Sequence, residues 1–179
     1  RGIKYTWTNE QKCMYIYKVL VEKMHYKYDN EREYENGKDV VRMLQGVLYG
    51  KLVCAGFALV FKEAMDRIGI PCLYQNKQHH HSWNIIHLNG KNYGVDLTWD
   101  CCSKGKNNEC KFIYFGRDNN FYNNEHHNIS NELEEIKCKL STFEHNDLSN
   151  NLYVITKQKN IGKYSFESTY DCYGNKVNY

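Results

Sequence analysis

The chain has 179 residues, a formal net charge of +3 and 41% hydrophobic residues. This length predicts one compact domain over residues 1–179, and the composition excludes wholesale disorder. The longest apolar run, at residues 56–61, is far shorter than the ~20 residues of a membrane-spanning helix. Positive charges are dispersed among 21 acidic residues, so neither a membrane nor nucleic acid is an expected partner.

Cysteine spacing and the first residue bear on the cellular compartment. The chain begins at Arg1 rather than Met, which indicates that its native N-terminus and any targeting segment were removed. The cysteines are irregularly spaced, without a Cys-x-x-Cys pair, so they predict neither a disulfide framework nor a zinc knuckle. Free thiols favour a reducing compartment, although secretion stays open. The eight are Cys13, Cys54, Cys72, Cys101, Cys102, Cys110, Cys138 and Cys172.

Three helices are predicted in the first part of the chain. Apolar residues recur at helical spacing over residues 8–26, where Thr8 is a candidate N-cap and Gln11 follows three residues later. The same pattern predicts a short second helix over residues 39–48. A third helix is predicted over residues 53–68, and Gly69 ends it in the C′ position.

A β-hairpin is predicted next, with strands over residues 82–88 and 91–97. Asn89-Gly90 joins them and is the strongest short hairpin signal that a sequence offers. In a two-residue turn at this position, Leu88 faces Lys91, Trp83 faces Asp96 and His81 faces Thr98.

That register favours one histidine of the run His79-His80-His81. His81 and Asp96 point to the same side as diagonal neighbours, about 7–8 Å apart at the backbone and within side-chain reach. His80 points to the opposite face, and His79 lies too far along the strand.

The pattern weakens beyond Asp100. Residues 101–109 form a predicted polar loop, residues 111–115 are short and apolar, and residues 119–130 predict only modest structure. A short helix over residues 132–140, a strand over residues 152–156 and an edge strand after Lys163 are further predictions.

Cys54 is a candidate nucleophile because it falls in the N-terminal turn of the third predicted helix. Unpaired amides and the helix dipole stabilise a thiolate there. A thiolate nucleophile also needs a histidine to carry protons and a third group to fix the imidazole tautomer. Cys54, His81 and Asp96 are close enough in sequence, with gaps of 27 and 15 residues, for a helix packed on the hairpin to bring them together.

The sequence resembles the transglutaminase-like superfamily, a branch of the papain-like thiol enzymes, over about residues 12–115. The resemblance is carried by Gly50-Lys-Leu-Val-Cys-Ala-Gly-Phe-Ala58, Gly69-Ile-Pro, His81-Ser-Trp-Asn84 and Gly90-Lys-Asn-Tyr-Gly-Val-Asp-Leu-Thr-Trp-Asp100. It implies an α+β fold in which a papain-like core presents the nucleophile at the N-terminus of a helix packed on an antiparallel sheet. It also implies a triad of Cys54 as nucleophile, His81 as general base and acid, and Asp96 as the group that orients the imidazole.

The reactions of that superfamily pass through a thioester with glutamine side chains or peptide carbonyls. Its members include cross-linkers, deamidases, peptidases and peptide N-glycanases, and the fold does not choose among them. We expect a cysteine peptidase or amide hydrolase acting on a protein or peptide, because a short domain has little room for an amine-donor site. A protein-glutamine transglutaminase or deamidase is the alternative, and a non-catalytic binding module that keeps the fold is the rival. The sequence leaves the oligomeric state open.

Further residues are candidates for parts of the site. The Cys54 amide can supply one oxyanion donor, and Gln45, Tyr28 or Tyr49 can supply the second. Trp83 and Trp99 are interpreted as walls of the site, with core packing as the alternative. Asn84 and Asp100 are expected to have structural hydrogen-bonding roles.

No cofactor or metal is expected. His79–His81 together with Cys101, Cys102, Cys110, His126 and His127 offer imidazole and thiolate groups, but their spacing does not support a zinc site. The calcium sites of animal transglutaminases belong to longer chains and are not carried over. Cys13, Cys72 and Cys138 are interpreted as core residues.

Overall fold

The structure is a computed structural model that describes residues 3–28, 34–35, 38–39, 46–77, 81–125, 139–143, 169–170 and 176–177. The helices are α1 (Asn9–Lys23), α2 (Gly46–Tyr49), α3 (Cys54–Arg67), α4 (Leu97–Cys102) and α5 (Asn119–Glu125). The strands are β1 (His25–Tyr26), β2 (Tyr34–Glu35), β3 (Lys38–Asp39), β4 (Lys51–Leu52), β5 (Cys72–Lys77), β6 (His81–Leu88), β7 (Lys91–Val95), β8 (Phe115–Arg117), β9 (Thr169–Tyr170) and β10 (Lys176–Val177).

The main sheet has four antiparallel strands in the order β5-β6-β7-β8. Helix α3 packs against β5 and β6. β1 and β4 form a short parallel pair, while β2 with β3 and β9 with β10 form antiparallel pairs. This mixture of helices with an antiparallel sheet confirms the predicted α+β class.

The chain divides into two compact units, residues 1–16 with 143–179 and residues 17–142. The main sheet, α3 and α4 all lie in the second unit. A single domain over residues 1–179 stays a prediction. Within the described stretches, no helix is both long enough and apolar enough to cross a bilayer.

Helix α1 begins as predicted, immediately after Thr8. The Thr8 amide donates to Gln11 Oε1 at 2.9 Å, and the Gln11 amide donates to Thr8 Oγ1 at 3.3 Å. This reciprocal pair is a capping box, which satisfies two amides that the helix itself leaves unbonded. The helix ends at Lys23, three residues before the predicted end.

The second predicted helix is only partly correct. Asp39 belongs to β3, so no helix begins there, and α2 covers only Gly46–Tyr49. Residues 40–45 lie outside the described residues. Gly50, at a φ of +67°, then turns the chain into β4. This left-handed backbone is one that glycine adopts without steric penalty.

Helix α3 agrees with the prediction to within one residue at each end. Its N-cap, Val53, has an extended backbone and no side-chain cap, and Gly69 follows the C-cap with a φ of +74°. Asn84, fully buried in β6, donates from Nδ2 to the carbonyl oxygens of Ala58 and Leu73 at 3.0 and 3.3 Å. It therefore ties α3 to β5, which is the structural role predicted for it.

The hairpin has the predicted turn and register. Asn89 and Gly90 have φ values of 49° and 75°, as a two-residue type I′ turn requires. Leu88 pairs with Lys91, and the ladder continues to Asn84 and Val95.

The ladder stops at that pair, so the predicted pairs Trp83–Asp96 and His81–Thr98 do not form. The second predicted strand is thus wrong at its end, because Asp96 caps α4 instead. Its Oδ1 accepts the Trp99 amide at 3.1 Å. Cys101 and Cys102 consequently lie in a helix and not in the predicted loop.

The remaining predictions meet mixed outcomes. α5 falls within residues 119–130, for which only modest structure was predicted, and β8 covers the end of the apolar segment. Leu140 forms an isolated bridge with Asn92, so a helix reaching Leu140 is wrong. Residues 131–138 and 152–156 lie outside the described residues. Of the residues after Lys163, those that the structure describes form β9 and β10, which pair with each other.

Aromatic packing joins the helices of the second unit to its sheet. The Tyr17 ring of α1 lies 5.9 Å from Phe61, 5.7 Å from Phe112 and 4.9 Å from Phe115 between centroids. Gly94 in β7 lies so close to Tyr122 that an added Cβ would come within 2.2 Å of Cε2. These contacts hold β7, and hence the start of α4, in a close-packed environment.

Candidate active site

Cys54 is the first residue of α3 and is partly buried. The extended Val53 before it breaks the helical path, so the sulfur lies where the first-turn amides have no helical carbonyl partner. The positive end of the helix dipole favours an anion at this place. The fold therefore puts Cys54 in the position that the sequence predicts for a nucleophile.

His81 and Asp96 form a short hydrogen bond. His81 begins β6, and its Nε2 lies 2.6 Å from Asp96 Oδ2. The Asp96 side chain is fully buried, while the His81 side chain is 13% exposed. Since Nε2 is engaged by Asp96, Nδ1 is the ring nitrogen left for the Cys54 thiol, to which His81 also bonds. The three predicted residues thus lie together in the order Cys54–His81–Asp96.

The backbone amide of Ser82 is a further group at the sulfur, and the sequence reasoning missed it. It hydrogen-bonds to Cys54 together with the Ala55 amide. In the β6–β7 ladder, amides of even-numbered β6 residues face β7. Because β7 ends at Val95, its ladder does not reach Ser82, and the Ser82 amide on that side of β6 is available to the thiolate. On the other side of β6, Ser82 pairs with Asn76 of β5.

The two pKa shifts favour an ion pair between Cys54 and His81. Burial raises the pKa of the Cys54 thiol, but the His81 hydrogen bond and charge, followed by the Ser82 and Ala55 amides, bring it below its ordinary value. Burial lowers the pKa of His81, whereas the charge and hydrogen bond of Asp96, then those of Cys54, raise it to about 10. Both shifts favour the thiolate–imidazolium pair over the neutral thiol and imidazole.

Two tryptophans flank the His81 ring. Trp83 lies parallel to it at a centroid distance of 5.9 Å, and Trp99 meets it edge-on at 6.0 Å. Trp83 is 5% exposed, and Trp99 also packs against Tyr114 at 5.4 Å. Both side chains thus pack against the His81 ring, and their role as walls of the site stays a prediction.

Asp96 has two functions in the fold. Oδ1 caps α4 through the Trp99 amide, and Oδ2 accepts from His81. The sequence signal for the cap was an aspartate directly before Leu-Thr-Trp-Asp, a typical N-cap position with an acidic residue in the first turn. The alternating pattern through residue 97 concealed it.

The oxyanion-donor candidates lie in different places. The Lys27 amide donates to the Leu52 carbonyl at 3.0 Å. The backbone before Tyr28 is therefore bonded to the segment that leads into Cys54. Tyr28 is 63% exposed, and Tyr49, the last residue of α2, is 48% exposed. Gln45 lies outside the described residues. The role of each as a donor stays a prediction.

Within the described residues, no group of three or more His, Cys, Asp or Glu side chains could hold a metal ion. His79, His80, His126 and His127 lie outside them. Cys101 is buried and its thiol donates to the Met24 carbonyl. Cys13 and Cys72 are buried, as predicted, and Cys138 lies outside the described residues.

We predict that alkylation of Cys54 begins at lower pH than that of an ordinary thiol, whose pKa is about 8.5. The thiolate is the reacting species, and its pKa is lowered by His81. Mass spectrometry of each cysteine peptide after brief iodoacetamide treatment across pH values measures the midpoint. Cys102 is an internal control, because its side chain is solvent-exposed while partial desolvation by neighbouring groups raises the pKa of its thiol. Equal midpoints for the two cysteines would contradict the ion pair.

Comparisons with known proteins give little beyond this geometry. No family model matches the chain, and no curated protein matches it. A solved crystal structure of a TGase superposes on 52% of this chain and 27% of its own chain, with a TM-score of 0.43 and 14% identity. The chain thus spans about a quarter of that solved chain, and the match is too slight to assign a fold. The class defined here is an α+β protein with a Cys–His–Asp constellation.

Proposed function

We propose that this protein is a thiol-dependent acyl-transfer enzyme with a transglutaminase-like, papain-like core, acting on amide bonds of a protein or peptide. The observation that carries the proposal is the chain of contacts from Cys54, at the start of α3, through His81 to the buried Asp96. The four sequence stretches that resemble the superfamily contain all three residues.

Acylation begins with the Cys54 thiolate, which attacks the carbonyl carbon of the substrate amide. The carbonyl π electrons move to the oxygen, and the Cys54 amide at the start of α3 is a donor for the resulting oxyanion. When the carbon–nitrogen bond breaks, the His81 imidazolium gives its proton to the leaving amine. A thioester on Cys54 and a neutral His81 result.

Deacylation uses the same groups in reverse. Water attacks the thioester carbonyl, and neutral His81 accepts the proton that the water loses. The carbon–sulfur bond breaks, releasing a carboxylic acid and restoring the thiolate–imidazolium pair. An amine acceptor in place of water would yield a transamidated product, so hydrolysis and cross-linking share the first half of the reaction.

The buried Asp96 supports this cycle by orienting His81. Its carboxylate accepts a hydrogen bond from the Nε2–H group, which keeps Nδ1 directed to the sulfur and stabilises the imidazolium. Two tryptophans pack against the ring. A binding module would have no use for a thiol with a lowered pKa beside an oriented histidine.

The activity is tested by incubating a glutamine-rich protein with this chain and a primary amine, then analysing the products by mass spectrometry. We expect backbone cleavage, or conversion of Gln to Glu for side-chain hydrolysis, because water is always present to resolve a thioester. Amine adducts would establish transamidation. The Cys54→Ala variant is the control. Products equal in both samples, together with an unreactive Cys54, would favour a non-catalytic module.

A further inference from the structure

Tyr17 and Asp100 are two buried polar residues beside the candidate site that the proposed reaction does not use. Tyr17 lies on α1 and Asp100 on α4, and both are fully buried. Burying a phenol and a carboxyl group is unfavourable unless their polar atoms are hydrogen-bonded. Their bonding partners therefore indicate what the pair does.

Tyr17 binds the main-chain carbonyl oxygen of Asp96. Its hydroxyl lies 2.8 Å from the Asp96 carbonyl oxygen and 2.5 Å from Asp100 Oδ2. A hydroxyl carries one proton, so the proton is shared between the two oxygens in a three-centre bond. The Asp100 amide also donates to the Asp96 carbonyl, at 3.4 Å. Both residues thus converge on one main-chain oxygen.

The amide side of Asp96 is held through Tyr114. Asp100 Oδ1 accepts the Ile113 amide at 2.9 Å, and Oδ2 accepts the Tyr114 amide at 3.0 Å. The Tyr114 carbonyl in turn accepts the Asp96 amide at 3.0 Å. The bonds from Asp100 to Tyr17, Asp96 and Tyr114 therefore close a ring around the main chain of Asp96.

Backbone strain at Phe112 accompanies the ring. Phe112 has a φ of +54°, a left-handed conformation that is unfavourable for a bulky side chain. It immediately precedes the two amides that bind Asp100, and its ring stacks on Tyr17. The strained residue turns successive amides towards a single carboxylate, as in an anion-binding nest.

We propose that Tyr17 and Asp100 are positioning residues, which fix the Asp96 carboxylate at hydrogen-bonding distance from His81. The proposal rests on the proposed function, since it assigns a role in the same Cys54–His81–Asp96 site. A carboxylate fixed only by its own side-chain bonds could rotate whenever the first turn of this six-residue helix opened. The ring of hydrogen bonds fixes the main chain from which the Asp96 carboxylate projects.

The test compares Tyr17→Phe with Tyr122→Phe. Both variants remove a buried hydroxyl without changing the ring, and Tyr122 donates to the Tyr114 carbonyl at 3.1 Å. That change removes a second donor from the Tyr114 carbonyl, but it keeps the bond from the Asp96 amide to this carbonyl and the bond from Tyr17 to the Asp96 carbonyl. For Tyr17→Phe we expect kcat to fall roughly 10- to 100-fold, the size of effect that small misplacements of reacting groups cause, with little change in KM.

A second readout follows Cys54 itself and needs no substrate. If Asp96 loosens, imidazolium is less stabilised, and the alkylation midpoint of Cys54 moves up towards about 8.5. Tyr122→Phe should keep the wild-type midpoint. Thermal unfolding of both variants shows that the comparison is made on folded protein, and Asp100→Asn takes the place of Tyr17→Phe if that variant does not fold.

The outcomes separate this inference from the proposed function. A wild-type Cys54 with an ordinary midpoint contradicts the proposed function before any variant is compared. A lowered wild-type midpoint that is unchanged in Tyr17→Phe, or equally shifted in both variants, overturns the positioning role alone. A shift confined to Tyr17→Phe supports it, because a purely stabilising hydroxyl would lower the melting temperature without changing the thiol in the folded enzyme.

Discussion

Replacing Cys54 with alanine is expected to abolish turnover, a loss on the order of 10⁶-fold for removal of a nucleophile from an interdependent triad. The sulfur forms the proposed thioester, and burial raises the thiol pKa of Cys72, Cys101, Cys102 and Cys110. Folding should persist, since alanine is small and is the best helix former for the first position of α3. Product formation measured by mass spectrometry, with circular dichroism as the folding check, tests the prediction.

Two companion variants sharpen that result. Cys102→Ala removes an exposed thiol from α4 and should leave turnover unchanged. His81→Ala should be as inactive as Cys54→Ala and should also return the Cys54 alkylation midpoint to an ordinary value. Retained activity in His81→Ala, combined with loss in His80→Ala, would mean that the wrong histidine has been assigned.

Substituting Asp96 should separate the helix cap from the orientation of the histidine. The carboxylate accepts two bonds at once, from the Trp99 amide and from His81, whereas an amide side chain has one acceptor oxygen. In Asp96→Asn that oxygen can keep the cap, which leaves the NH₂ group facing His81. Turnover should then fall by about 10⁴-fold, as in serine-protease triads with the same change, while stability changes little because asparagine caps helices well.

Asp96→Ala is the matched variant, because it removes both bonds. We expect a similar loss of turnover together with about 1 kcal/mol of lost stability from the missing cap. Steady-state rates and denaturant unfolding measure the two effects. If Asp96→Asn kept near-wild-type rates, the carboxylate charge would be unnecessary and the proposed role of Asp96 would fail.

Much of the candidate site could be predicted because its signals are local. Asn89-Gly90 sets the hairpin register, and Gly69 sets the end of α3. The position of Cys54 follows from that helix. The bond between His81 and Asp96 was predicted correctly, although the strand pairing used to predict it ends at Asn84 and Val95. The alternation of side chains along the strands places both residues on one face of the sheet, and the backbone turn into α4 leaves Asp96 on that face.

Other parts could not be predicted because they depend on contacts distant in sequence. Tyr17 bonds to Asp100 across 83 positions, and no local pattern in α1 distinguishes it from an ordinary core tyrosine. The Ser82 amide became relevant only because β7 ends early. Asp39 lies in a strand although its apolar neighbours repeat at helical spacing, since weak local preferences give way to pairing between strands.

The double use of the Asp96 carboxylate links catalysis to local unfolding. The residue that starts α4 is also the one that holds the imidazole, so molecules in which the first turn of α4 has opened lack the orienting group even when the main sheet is intact. If the proposed mechanism holds, the active fraction of the protein can be no larger than the fraction in which this six-residue helix is closed. The measured turnover rate then reports the opening equilibrium of one short helix rather than the global unfolding equilibrium.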